Sequence, residues 1–64
     1  MEFTKINFVG ELHDIEVLNM QDGTVKVIML QKIIPYSTTE FFNIDDPKFT
    51  KWIENNKKHI TITQ

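Results

Sequence analysis

Glu11-Leu-His-Asp-Ile-Glu-Val-Leu-Asn-Met20, then Gln21-Asp-Gly23, then Thr24-Val-Lys-Val-Ile-Met-Leu-Gln-Lys-Ile-Ile34 is the stretch that decides the fold. Two runs rich in Val, Ile, Leu and Met flank an Asp-Gly pair, which reads as a β-hairpin. Asp22-Gly23 suits a type I turn closed by glycine in the left-handed region, giving a three-residue loop with a bulge. That loop sets Asn19 opposite Val25, Val17 opposite Val27 and Ile15 opposite Met29. One face of the hairpin is then Ile15, Val17, Val25, Val27 and Met29, a continuous core face. The other face carries Asp14, Glu16 and Lys26, but also Leu18, Met20, Ile28 and Leu30. A two-residue loop would change the pairing and still leave apolar side chains on both faces. A solvated antiparallel face normally turns polar residues outward. Four large apolar residues there require a cover, which could be a curled sheet, a helix or another subunit.

Outward from the hairpin the pattern continues. Residues 3–9, Phe-Thr-Lys-Ile-Asn-Phe-Val, read as a first strand with Thr4, Ile6 and Phe8 on one face and Lys5 and Asn7 on the other. Gly10 marks a turn or bulge. Ile33-Ile34-Pro35-Tyr36 ends the second arm of the hairpin, because proline cannot donate to a central ladder. Residues 37–44 form a further strand, with Phe42 and Ile44 on one face and Phe41 on the other. Asp45-Asp46-Pro47 is a helix start, with an aspartate to cap free amides and proline at the first helical position. Phe49, Trp52 and Ile53 follow as one apolar stripe, and Asn55-Asn56 ends the helix after two to three turns. Residues 59–63 form the last strand, with Ile60 and Ile62 inward.

The expected fold is therefore α+β, mainly β, in the order β-β-β-β-α-β, built as a single small curved antiparallel sheet or a partial barrel. This order resembles the SH3-like barrels, which place a helical turn before the last strand. It resembles the oligonucleotide-binding fold less closely, since there the helix precedes the fourth strand. No motif accompanies either likeness, so neither assigns a family.

Composition bounds the function. The chain has 64 residues, enough for one domain. A domain of that size buries only about 60% of the surface its unfolded chain exposes. Its core rarely supplies more than roughly 3–5 kcal/mol. There is no cysteine, so neither a disulfide nor a thiolate metal site can add to that. Exceptional packing or self-association is left. Hydrophobic residues make up 41% and charged residues 25%, as in ordinary folded proteins. The net charge is −2, distributed as −3 over residues 1–30 and +1 over the remainder. No apolar run is long enough to span a membrane. Met1–Lys5 lacks a basic region followed by an apolar stretch, so no signal peptide is expected and the expected compartment is the cytoplasm. The chain has no Arg and no Ala and uses Ile, Lys, Asn and Phe heavily. That bias fits AT-rich coding sequence and, with the size, a phage or mobile-element origin. The lack of Arg also removes the bidentate fork that grips phosphate, guanine or carboxylate.

Catalytic chemistry is not expected. Gly10 and Gly23 lie far apart and make no phosphate loop. His13 and His59 are not at zinc spacing and lack a third ligand, so no metal and no cofactor is expected. Ser37, Thr38 and Thr39 are explained as strand formers, Asp45-Asp46 by capping, and Glu11, Asp14 and Glu16 as a solvated face. The sequence instead points to a non-catalytic binding and assembly module. Such a module would be a homodimer or higher oligomer through Leu18, Met20, Ile28 and Leu30, with a protein partner as well. Two alternatives carry less weight. Tyr36 and Phe41, with Lys48, Lys51, Lys57 and Lys58, could form an aromatic and lysine surface for single-stranded nucleic acid or another ligand, although the chain is acidic overall. A small ligand such as a nucleotide could be sequestered between subunits, since so short a chain has little room for a cavity of roughly 300 Å³ or more.

Overall fold

The computed structural model describes residues 2–64. It contains β1 (Lys5–Val9), β2 (His13–Asn19), β3 (Thr24–Gln31), β4 (Ser37–Asn43), α1 (Pro47–Asn55), a 3₁₀ turn (Lys57–His59) and β5 (Ile60–Thr63). All pairings are antiparallel, and the sheet order is β4-β3-β2-β1-β5. Of the two architectures left open above, the open sheet is the one adopted. The first four strands meander, and α1 then carries the chain back across one face so that β5 lies beside β1. β5 is only four residues long and lies at the far side of the sheet from β4, so the two edges do not meet.

The hairpin register is the expected one, with Asn19 opposite Val25, Val17 opposite Val27 and Ile15 opposite Met29. Ile15, Val17 and Val25 are buried, and Val27 and Met29 pack against them. Ile6, Phe49 and Ile53 complete this inner face together with Phe3. The helix begins as its sequence requires. The Asp46 carboxylate accepts the Lys48 amide at 2.9 Å, and Pro47 follows at the first helical position. At its other end the Asn56 side-chain amide donates to the Trp52 carbonyl at 2.8 Å, satisfying a carbonyl the helix leaves free.

Local differences from the expected pattern have simple causes. Alternation alone sets Phe3 on the same side as Lys5. A bend at Thr4 ends that alternation, and Phe3 is buried against Phe49 with ring centroids 6.0 Å apart. Asn19 holds the bend, since its side-chain amide donates to the Phe3 carbonyl at 3.0 Å and its backbone amide to the Thr4 carbonyl at 3.1 Å. Ile62 faces the core side but is 40% exposed, because β5 is an edge strand. The second hairpin arm stops at Gln31 rather than Ile34. Gly10 is required sterically, as a Cβ there would lie 2.8 Å from both the His13 carbonyl oxygen and the Phe8 ring.

The hairpin loop has the expected length but not the expected conformation. Gln21 has φ 65° and Gly23 φ 92°, so a glutamine as well as the glycine occupies the left-handed region. The Asn19 side-chain oxygen accepts the Gln21 amide at 2.9 Å and holds it there. Thr24 donates its hydroxyl and its amide to the Asp22 carboxylate, which keeps that carboxyl below its ordinary range. This contribution is present above the ordinary aspartate value and is lost as pH falls through the lowered one. A left-handed residue other than glycine costs roughly 1–2 kcal/mol, and asparagine tolerates that region better than glutamine does. Gln21→Asn should therefore raise stability by up to about 1 kcal/mol, seen as a higher urea midpoint with an unchanged slope. A lower midpoint would contradict this reading of the turn.

Candidate association surface

α1 lies on the inner face alone, so the outer face has no covering element. The strand registers arrange that outer face in rows. Val9, Asp14, Leu30 and Ser37 form the first row. Thr61, Asn7, Glu16, Ile28 and Thr39 form the second, and Thr63, Lys5, Leu18, Lys26 and Phe41 the third. Leu18 and Phe41, in the third row, each stand diagonally from Ile28 in the second, at the spacing over which long and aromatic side chains meet. Leu30 follows Ile28 on the same strand and face. Leu18 and Ile28 are half-buried, whereas Leu30 is 48% and Phe41 62% exposed. Met20 is exposed too, but it lies at the start of the hairpin loop, at the opposite end from Leu30. Thus Leu18, Ile28 and Leu30 share the open face, and Met20 sits at its margin.

Charges of both signs frame this apolar cluster. Lys5 pairs with Glu16 at 3.1 Å and Lys32 with Asp14 at 3.3 Å. Lys26 sits between Leu18 and Phe41 in its row. The face thus carries charges of both signs.

A second apolar group was not recognised in the sequence. Leu12, Ile33, Ile34 and Tyr36 are each more than half exposed on the loops at the Leu30 end. The Lys32 amide donates to the Leu12 carbonyl at 3.0 Å and ties these loops together. Val9, 63% exposed, links them to the first row of the open face. In the sequence Ile33-Ile34-Pro35 signals only the end of a strand. Its continuity with Leu12 depends on a contact between residues twenty apart, which local patterning does not contain.

The residues of the nucleic-acid alternative do not converge. Phe41 lies on the outer face, while Lys48 and Lys51 stand on α1 across the sheet. Lys57 pairs with Glu54 at 3.3 Å, and Lys58 lies beside it in the 3₁₀ turn beyond the helix. Tyr36 sits in the β3–β4 loop. Trp52 is half-buried against Phe8, ring centroids 5.8 Å apart. No aromatic platform inside a lysine groove results.

His13 and His59 both approach the Phe8 ring, at 5.8 and 5.9 Å between centroids. Among the described residues no group of three or more potential ligands could hold a metal ion. A pocket of about 270 Å³ opens between α1 and the β3–β4 side of the sheet. Ile15, Val17, Val27, Phe42, Phe49 and Trp52 line it, with Glu40 and Lys48 at its mouth. A larger hollow of about 640 Å³ lies at the hairpin-loop end, where Thr4, Asn19, Gln21 and Gly23 make it partly polar. No helix among the described residues is long and apolar enough to cross a membrane.

The chain matches no protein-family model, no curated protein and no solved structure.

Proposed function

We propose that this protein is a non-catalytic, cytoplasmic binding and assembly module that associates with a second copy of itself through the open face of its sheet. The observation that supports this reading is the uncovered cluster of Leu18, Ile28 and Phe41, extended by Leu30. The helix shelters one face of the sheet and nothing shelters the other. Only Phe3, Ile6, Ile15, Val17, Val25, Phe49 and Ile53 are buried among the described residues. A core of that size is marginal for a domain without disulfide or metal. Burying the second face against a copy would supply further apolar burial at about 25 cal/mol per Å². The intermixed charges allow this, since Lys and Glu or Asp side chains of the two copies can meet across a two-fold axis.

Association that stabilises the fold makes the melting temperature depend on protein concentration. The apparent melting temperature should therefore rise steadily with each roughly tenfold increase in concentration. A melting temperature that stays constant from low micromolar to near-millimolar protein contradicts the proposal.

A further inference from the structure

We propose that Asp22-Gly23, in the loop between β2 and β3, is a site of isoaspartate formation, and that the Thr24 side chain guards it by engaging the Asp22 carboxylate. The inference concerns the loop alone and does not depend on self-association through the open face.

The chemistry is that of a carboxyl group beside the next backbone amide. The Gly23 nitrogen forms a bond to Asp22 Cγ, and the carboxyl hydroxyl leaves with the amide proton as water. The product is a cyclic imide, a succinimide. Solvent water then opens the ring at either carbonyl. Attack at the former side-chain carbonyl restores aspartate. Attack at the former main-chain carbonyl leaves the chain running through Asp22 Cβ and Cγ, which is isoaspartate. Water lost in the first step is regained in the second, so mass is unchanged and no other reactant takes part.

The sequence concentrates this reaction at one place. Asp22 alone among the aspartates precedes a glycine, and no asparagine does. Asp14 precedes the β-branched Ile15, whose side chain crowds the attacking nitrogen. Asp46 precedes Pro47, which has no amide proton to lose. Asp45 precedes Asp46, whose amide is already given to the Asn43 carbonyl at 3.0 Å. At Gly23 the nitrogen is uncrowded, and beyond its chain neighbours no atom lies within 4 Å of where a Cβ would stand. Gln21, Asp22 and Gly23 are all exposed, so water reaches the ring.

The fold opposes ring closure through Thr24. Its hydroxyl and its amide, the latter at 3.0 Å, both donate to Asp22 Oδ1. An amide nitrogen attacks a neutral carboxyl group far more readily than a carboxylate. These bonds hold the Asp22 carboxyl below its ordinary range, so the neutral form is scarcer than in a free peptide. Ring closure also turns the charged acceptor into an imide carbonyl, a weaker acceptor for both donors. Isomerisation in turn damages the hairpin. It lengthens the loop by one backbone atom and takes the carboxylate from the position that Thr24 grips. The Met20 amide donates to the Thr24 carbonyl at 3.1 Å across this loop, so the extra atom falls inside the closure that sets the register.

The test stores the full-length chain in neutral buffer at physiological temperature. Isoaspartate is followed by peptide mapping, with fragmentation that distinguishes the two isomers. It should collect at residue 22 before any other aspartate. Thr24→Val keeps a β-branched residue at the start of β3 and removes the hydroxyl. Folded Thr24→Val should form isoaspartate at residue 22 about threefold faster than the parent, or more. The parent unfolded in guanidinium chloride should exceed the folded parent by at least as much, a comparison that needs no variant to fold. Three results overturn the proposal. One is isoaspartate that is absent from residue 22 in all three samples or that collects first at another aspartate. Another is a folded Thr24→Val chain that isomerises at the parent's rate. The third is an equal rate in the folded and the unfolded parent.

Discussion

Ile28→Asp is expected to convert the assembly into single folded chains. Ile28 stands at the middle of the open face, flanked by Glu16 on β2 and Thr39 on β4. In the assembly an aspartate there is buried without a partner and faces Glu16, a like charge directly across the strands. Burying an unpaired carboxylate costs several kcal/mol, and a two-fold interface carries the change twice. At about 1.4 kcal/mol per tenfold, association should weaken by about a thousandfold or more. In the single chain the effect is smaller, since Ile28 is only half-buried. Phe41→Ser provides the companion variant. Phe41 is 62% exposed on the same face, so its loss should spare the fold and still weaken association. Sedimentation velocity distinguishes the outcomes, with the near-ultraviolet dichroism of Trp52 reporting that the chain is folded. If Ile28→Asp sediments as the parent does, the open face is not where the copies meet.

Ile53→Ala is expected to unfold the protein. Ile53 is 2% exposed and belongs to the stripe that fastens α1 to the sheet. Truncating a buried isoleucine to alanine costs about 2–5 kcal/mol. The core of so small a domain supplies roughly 3–5 kcal/mol, so the loss is comparable with the whole. Trp52, the only tryptophan, is next to Ile53 in the helix and half-buried beside Phe8, so its emission should shift to the red. The cooperative thermal transition should be lost at the same time. By contrast Ile33, 78% exposed, should tolerate alanine with a change within about 0.5 kcal/mol. A cooperative melt for Ile53→Ala close to that of the parent contradicts this assignment of the core.

Much of this architecture was legible because its signals are local. Asp22-Gly23 fixed the hairpin register, and that register fixed which residues face inward. Asp46-Pro47 marked the start of the helix for the same reason, as capping depends on adjacent residues. What escaped depends on contacts distant in sequence. Phe3 enters the core because Asn19 holds a bend at Thr4, and no alternation within residues 3–9 contains that bond. The left-handed Gln21 escaped similarly, because Asp-Gly alone favours a different turn. Alternation along the hairpin sets Leu18, Met20, Ile28 and Leu30 on one face but does not say whether a helix, a curled sheet or a subunit covers it. The full outline of that face needed the neighbours of β3, since Phe41 joins Ile28 only through the β3–β4 register. The pocket was not foreseen, because it needs the line along which α1 crosses the sheet. The free edge of β4 likewise required the strand order, which places β5 beside β1 and leaves β4 unpaired on its far side.

Sedimentation equilibrium of the unmodified chain at tens of micromolar tests the self-association proposal most directly. The open face predicts a particle of at least two chains, each of 7.6 kDa, that falls to one chain in Ile28→Asp. A mass of a single chain at every concentration up to near-millimolar would contradict it.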